Sequence, residues 1–326
     1  QTSNFIHYGA PQGLVQSQVQ TLEQDNDGNL WIGTMAGLSR YNGKTFISYT
    51  RKDGLAEDWI TASYKDNLGN IWLGHWGGGV SKLSLSDGEG ASYHEKIIEN
   101  INFEKFSNFN PITRIIQDSK GNFWYATEGS GIYKYDIGSN KVVPISTKEG
   151  LRSDNVTSIC EDNHGRLWIG TDIGITVYDT AFNINTTQAY SYLNDQNVLS
   201  SNKITFISLV LNDEIWIGTA EKGIVMIKSI AGILDSVSAA GSKTAKLIKQ
   251  GLLGTLRKID GLGSDKIQTI YQDNENNIWI GTRDAGITQY MPEIPDLSAG
   301  KKGKQRETLS KGTFRTYSFK QFGTKQ

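Results

Sequence analysis

Short runs of alternating apolar and polar residues recur along the chain, each closed by a turn signal. The first, Val19-Gln20-Thr21-Leu22-Glu23-Gln24, has the period of two that predicts a half-buried strand. Asp25-Asn26-Asp27-Gly28-Asn29 follows as a turn, because Asp and Asn side chains bond their own backbone and Gly supplies positive φ. Leu30-Trp31-Ile32-Gly33-Thr34 predicts the returning strand, Gly37-Leu38-Ser39-Arg40-Tyr41 a third and Phe46-Ile47-Ser48-Tyr49 a fourth.

This unit repeats. The pattern D-x-x-G-N-x-W-I-G-T-x-x-G-[LIV] is carried by Trp31, Trp72, Trp124, Trp168, Trp216 and Trp279, spaced by about 41 to 63 residues, close to the length of one propeller blade with insertions. Twelve positions before each Trp stands Val or Ile (Val19, Ile60, Ile112, Val156, Ile204, Ile267), with no gap between. Length varies only after the W-x-G-T hairpin, as expected of a rigid hairpin joined by surface loops. Gly33, Gly74, Gly170, Gly218 and Gly281 follow the Trp by two, with Ala126 in the third repeat, and a small residue there predicts close approach of the next sheet. The six Trp residues are expected to pack blade against blade. The third and fifth repeats are the weak ones, with Asn110-Pro111 in place of Gly-Leu and Asn212-Asp213-Glu214 in place of an Asp-Gly turn.

A lone four-stranded meander cannot cover both faces, so the repeats are expected to stack around an axis. The expected fold is all-β: a single β-propeller domain over residues 1–326 with six four-stranded blades, seven being the alternative. Insertions are expected near 84–100, 230–255 and 291–312, the second with one helical turn. Outer strands of F-x-x-Y type are expected at Phe5–Tyr8, Phe46–Tyr49, Phe103–Phe106, Leu256–Ile259 and Phe314–Tyr317. A terminal strand closes the ring, and Phe5–Tyr8 joining the last blade is the natural solution.

Charge and composition exclude several classes. Lys plus Arg is 33 against 34 for Asp plus Glu, so no basic footprint for nucleic acid exists. No apolar run is long enough to insert in a membrane. Cys160 is the only cysteine, and His7, His75, His94 and His164 have no zinc-type spacing, so neither a metal nor another cofactor is expected. The Asp25–Gly28 turn resembles the start of a calcium loop, but Ala36 stands where the distal Glu would be. The chain begins at Gln1 without a signal-like stretch, the expected start of a processed or trimmed exported protein.

The repeat, preceded by D-G-L and V-x-x-I, resembles that of the two-component regulator propeller family, from Gln12 to Tyr290. The resemblance implies a periplasmic or cell-surface sensor propeller, with a membrane-bound kinase module as partner and, in many members, glycan fragments as ligands. A looser likeness runs to streptogramin lyase propellers. The chain departs from the sensors in showing no kinase or regulator motif.

In a propeller, the loops between second and third strands and those entering each inner strand share one face, where ligands gather. The second repeat stands out there: His75 replaces Thr, Trp76 follows, and Gly77-Gly78-Gly79 leave room. Trp59 and Asp58 enter the same blade. Trp76 could stack a sugar ring while charged groups bond its hydroxyls. The expected ligand-binding set is His75, Trp76, Trp59, Glu128, Asp172, Glu221, Arg283 and Asp284. The competing reading has His75 bonding a neighbouring loop, Trp76 filling the channel mouth and the carboxylates solvated. No nucleophile motif occurs. The expectation is an exported, non-enzymatic sensor propeller for an oligosaccharide or other polar small molecule; the alternatives are a protein-contact scaffold and a lyase or hydrolase built on His75 and Glu128.

Overall fold

The computed structural model describes residues 7–77, 79–84, 96–101, 110–180, 184–185, 199, 203–211, 213–228, 253–292 and 312–317. Among them, regular structure is strand or short 3₁₀ turn, and the strands form six four-stranded antiparallel sheets. The protein is an all-β propeller of six four-stranded blades. The chain packs as two compact units, Gln1–Glu149 with Asp154–Val156, and Gly150–Ser153 with Thr157–Gln326.

The first unit holds three blades, paired in chain order. They are β1 (Val19–Gln24), β2 (Leu30–Thr34), β3 (Gly37–Tyr41) and β4 (Phe46–Tyr49); β5 (Ile60–Lys65), β6 (Ile71–His75), β7 (Val80–Ser84) and β8 (Lys96–Ile101); and β9 (Ile112–Gln117), β10 (Phe123–Thr127), β11 (Ile132–Asp136) and β12 (Lys141–Ile145). The second unit holds β13 (Val156–Glu161), β14 (Arg166–Thr171), β15 (Gly174–Asp179) and β16 (Ile184–Asn185); β17 (Ile204–Val210), β18 (Glu214–Thr219), β19 (Ile224–Ile227) and β20 (Leu253–Leu256); and β21 (Ile267–Gln272), β22 (Ile278–Thr282), β23 (Ile287–Pro292) and β24 (Gly312–Tyr317).

Three expectations shift. The fourth strand of the second blade is Lys96–Ile101, inside the region expected as an insertion, while Phe103–Phe106 lies outside the described residues. The fifth blade ends at Leu253–Leu256, and Lys258–Asp260 is a 3₁₀ turn rather than strand. The C-terminal strand completes the last blade, with Tyr290 opposite Phe314. Tyr8 instead rests on Tyr41 and Phe46 at the outer edge of the first blade. A strand that follows its own hairpin closes a shorter loop than one brought from the other terminus. The helical turn expected in 230–255, His94 and the lysines 301, 302 and 304 also lie outside the described residues.

The register explains the packing. A Cβ on Gly33 would sit 2.7 Å from Ile60 Cγ2 of the next blade, and one on Gly74 would sit 2.7 Å from Ile112 Cγ2. In the second unit, Gly170 meets Ile204 and Gly218 meets Ile267 in the same way, at 2.6 and 2.7 Å. Thus, at these four junctions, the small residue after the Trp seats the apolar residue that opens the next inner strand. The Trp rings fill the same interfaces, with Trp72 against Phe123 at 4.0 Å between ring centres.

The turn carries a second repeated device. Asp25 accepts bonds from the Asp27 and Asn29 amides, from Asn29 Nδ2 and from Trp31 Nε1. Asp66, Asp118, Asp162 and Asp273 bond the indoles of Trp72, Trp124, Trp168 and Trp279 at 2.7–2.8 Å. A buried indole N–H needs an acceptor, and the turn carboxylate supplies it. In the fifth blade the Asp is lost, and Glu214 bonds Trp216 Nε1 at 2.9 Å instead. In the fourth, Arg166 replaces Asn and pairs with Asp162 at 2.8 Å.

Candidate ligand-binding face

The loops expected to share a face are tied together by backbone bonds. Trp76 N donates to Trp59 O, and Glu128 N to Pro111 O, both at 3.0 Å. In the second unit, Ala220 N donates to Lys203 O and Arg283 N to Lys266 O. In these four blades the residue four places after the repeat Trp therefore sits beside the one that enters its own blade's inner strand.

In the second blade these two positions are Trp76 and Trp59. Their rings stack at 4.3 Å between centres with 10° between planes. Trp76 is 44% exposed, an exposed large apolar group on a blade whose repeat Trp is buried. Trp59 is half-buried, and its Nε1 is buried without a hydrogen-bond partner. One face of the Trp76 indole is thus backed by a second indole.

Beneath them, His75 has no exposed surface. Its Nε2 lies 2.8 Å from Ser81 Oγ. Ser81 Oγ also accepts from Ala56 N and donates to Asn100 Oδ1, while Asn100 Nδ2 donates to Gly54 O. The serine proton is therefore committed to Asn100, so His75 must carry its proton on Nε2. That leaves Nδ1 an acceptor, and it is buried without a partner. Burial pushes the His75 pKa down to about 4, against smaller upward pulls from the Glu57 backbone, the Asp58 carboxylate and the Trp59 backbone. His75 is neutral and out of reach of a ligand; it supports the loop under Trp76.

The entrance loop is held by the D-G-L turn. Gly54 takes φ 110°, which ends the 3₁₀ turn Arg51–Asp53 and favours glycine. Asp58 accepts from Arg51 N at 2.7 Å, and Asp154 and Asp265 cap Thr147 N and Lys258 N in their own units. Asp58 is therefore engaged in the loop's own structure. Arg51 and Glu57 form an exposed pair at 3.6 Å.

The other expected residues keep to their own blades. Glu128 is exposed, and its backbone bridges Asn155. In the second unit, Asp172 is half-buried, and Glu221 and Arg283 are exposed. Asp284 pairs with Lys266 at 2.8 Å. That bond, with one from Ser264, holds the Asp284 carboxyl below the usual range. Among the described residues, no group of three His, Cys, Asp or Glu is placed to hold a metal ion, and no helix is long and apolar enough to cross a membrane.

One repeated feature escaped the sequence reading. A hydroxyl in the third strand, at Ser39, Ser81, Thr176 and Thr288, accepts the amide of Val15, Ala56, Arg152 and Gly263, two places after the turn glycine. The third blade has Tyr133 at this position, and its entering loop has Asn110-Pro111. The signal was a second column of small hydroxyls, legible only when aligned with the D-G-L column.

Three segments, 13–36, 150–172 and 261–284, match the two component regulator propeller family. No curated protein matches the chain in sequence. Among solved structures, the chain is similar to the extracellular domain of the putative hybrid two component system BT3049 from B. thetaiotaomicron. Identity is 24% and the TM-score 0.64, over 92% of this chain and 34% of that one. The chain thus spans about a third of that protein's length. It is also similar to virginiamycin B lyase from Staphylococcus aureus, at 15% identity and TM-score 0.50, over 83% of this chain and 78% of that one. YCF48 from Cyanidioschyzon merolae matches at 12% identity and TM-score 0.52, over 84% of each chain. At these identities the likenesses show the propeller fold. The three matched segments hold the first two strands of the first, fourth and sixth blades.

Proposed function

We propose that the chain is the ligand-binding part of an exported sensor propeller, acting without catalysis, and that its ligand is a glycan fragment or another polar small molecule. The observation that carries this reading is the stacked Trp59–Trp76 pair with Trp76 exposed. An indole left in water costs hydrophobic free energy, and a second indole behind it holds it flat. Such a platform suits the apolar face of a sugar ring, with polar groups at its rim for the hydroxyls. Glu128 occupies the matching loop of the next blade. Asp172, Glu221, Arg283 and Asp284 hold the matching loop positions of the second unit's own blades and are proposed as polar contacts there. His75 serves by positioning Trp76. Its burial in the neutral state favours binding over proton transfer, because a general acid or base must reach the reacting atom.

The sensor part of the reading draws on the repeat and on the likeness to an extracellular domain of a putative hybrid two component system. It implies an extracytoplasmic location and a kinase module as the partner that reads the bound state.

A thermal-shift screen with an oligosaccharide panel, on wild type and Trp76→Ala, tests the reading. Ligand at 100 times its dissociation constant stabilises the folded state by about 2.7 kcal/mol. The expected result is a shift with at least one oligosaccharide that Trp76→Ala abolishes while keeping its own fold. A flat response from folded wild type, or a shift that Trp76→Ala keeps in full, overturns the assignment.

A further inference from the structure

The residue that enters each inner strand, thirteen places before the repeat Trp, is Gln18, Trp59, Pro111, Asn155, Lys203 and Lys266 in blade order. This column is uncharged in the first four blades and lysine in the fifth and sixth. Both of those blades belong to the second unit, and their loops touch. Gly223 N donates to Asp265 O at 2.8 Å, and a Cβ on Gly223 would sit 3.3 Å from Arg257 Cγ. Lys222 therefore stands next to Arg257, just as Lys266 stands next to Arg283 and Lys203 next to Ala220.

The resulting lip carries an excess of positive charge in a chain whose net charge is −1. Lys203, Lys222, Arg257, Lys258, Lys266 and Arg283 stand there against Glu221, Asp260, Asp265 and Asp284. Three of the four carboxylates are engaged within the loops. Asp260 accepts from Arg257 N, Asp265 accepts from Lys258 N, and Asp284 pairs with Lys266. Lys203, Lys222, Arg257 and Arg283 are exposed, and none of them forms an ion pair among the described residues. Like charges held side by side repel one another, and an anion placed among them removes that repulsion.

Arg257 also stands where local stability favours another residue. It directly precedes the 3₁₀ turn Lys258–Asp260. At the same place in two loops of the first unit, Thr50 Oγ1 accepts from Lys52 N and Ser146 Oγ accepts from Lys148 N. The Arg257 side chain makes no such cap. A capping hydroxyl has been exchanged for an exposed guanidinium, and a local rule broken without structural return points to a binding role.

We infer that the lip of the fifth and sixth blades binds an anion. Arg257 and Arg283 offer forked donors to a planar carboxylate or a sulfate, and Lys203 and Lys222 add point charges. The inference rests on the ligand-binding reading above and names the ligand class for this lip: a glycan fragment that bears acidic groups.

The test is calorimetric titration at low salt with an oligogalacturonate, its neutral methyl ester and inorganic sulfate, on wild type, Arg257→Thr and Arg283→Ala. Arg257→Thr restores the cap, so its melting temperature is expected to hold or rise, and lost binding then has no cause in lost fold. Wild type is expected to bind the acid in preference to the ester, with affinity that falls as salt rises. Each variant is expected to weaken the acid on the order of tenfold. Sulfate is expected to displace the acid only at much higher concentration; sulfate that binds as tightly as the acid overturns the glycan class. Equal binding of acid and ester, no binding of the acid, or full affinity in both variants overturns the inference. In those cases a thermal shift with a neutral oligosaccharide that Trp76→Ala abolishes would leave the ligand-binding reading standing.

Discussion

The second and sixth blades share a frame and differ in what the frame displays. In both, the amide four places after the repeat Trp... donates to the residue entering the inner strand: Trp76 to Trp59, and Arg283 to Lys266. In the second blade the two side chains are stacked indoles. In the sixth they are cations, and Lys266 turns to Asp284. The hairpin, the turn carboxylate and the seating glycine fix where the loop goes. The two residues at its lip decide what it can touch. A repeat protein can thus change its binding surface blade by blade without altering the backbone bonds that hold it.

Removing the shared frame should have the largest effect. Asp66→Ala takes the acceptor from the buried Trp72 indole and from the turn amides, and should cost on the order of 4 kcal/mol in urea unfolding. The matched change Asp273→Ala should cost distinctly less, because Trp279 is only half-buried and water can replace the carboxylate. Equal losses would break the comparison.

Next comes the second blade's own departure. Folded His75 resists protonation until about pH 4, whereas in the unfolded chain it takes a proton near its ordinary value of 6.5. Its contribution is full above pH 6.5 and is lost as pH falls from there toward 4, by about 3 kcal/mol. His75→Thr restores the residue found in the other five repeats. It should flatten that part of the stability profile, read by denaturant unfolding at pH 7 and pH 4.5. A profile that keeps its slope in the variant would place the titrating group elsewhere.

The smallest effect is expected at the sixth blade's lip. Lys266→Ala removes an exposed ion pair that solvent screens, and the melting temperature should not move beyond error. A clear drop would mean that the charged lip is as structural as the indole pair.

Much of the fold was legible because each repeat states its strands, its turn and its packing residue in one register. The Gly–Ile junctions followed from a column of small residues and a column of β-branched ones. Which terminal strand completes the last blade stayed open in the sequence because Phe5–Tyr8 and Phe314–Tyr317 carry the same apolar spacing, and spacing alone does not say which sheet edge a strand meets. At the candidate site, Trp59 and Trp76 were legible as tryptophans outside the repeat columns. Their stacking was not, since 17 positions of chain separate them and only the blade's register brings them side by side. His75 stood out for the same reason as Trp76, yet its neighbour turned to solvent and it turned inward to Ser81.

By itself, then, the sequence determined the repeat, the blade count, the hairpin chemistry and the positions at which the second blade departs from the rest. These rest on local periodicity and turn chemistry, which act within a few residues. Only the tertiary structure decided the protonation and burial of His75, the pairing of the two indoles and the strand that completes the last blade. Each of those depends on which groups, distant in the chain, exclude water from one another, and that is set by packing rather than by neighbours in sequence.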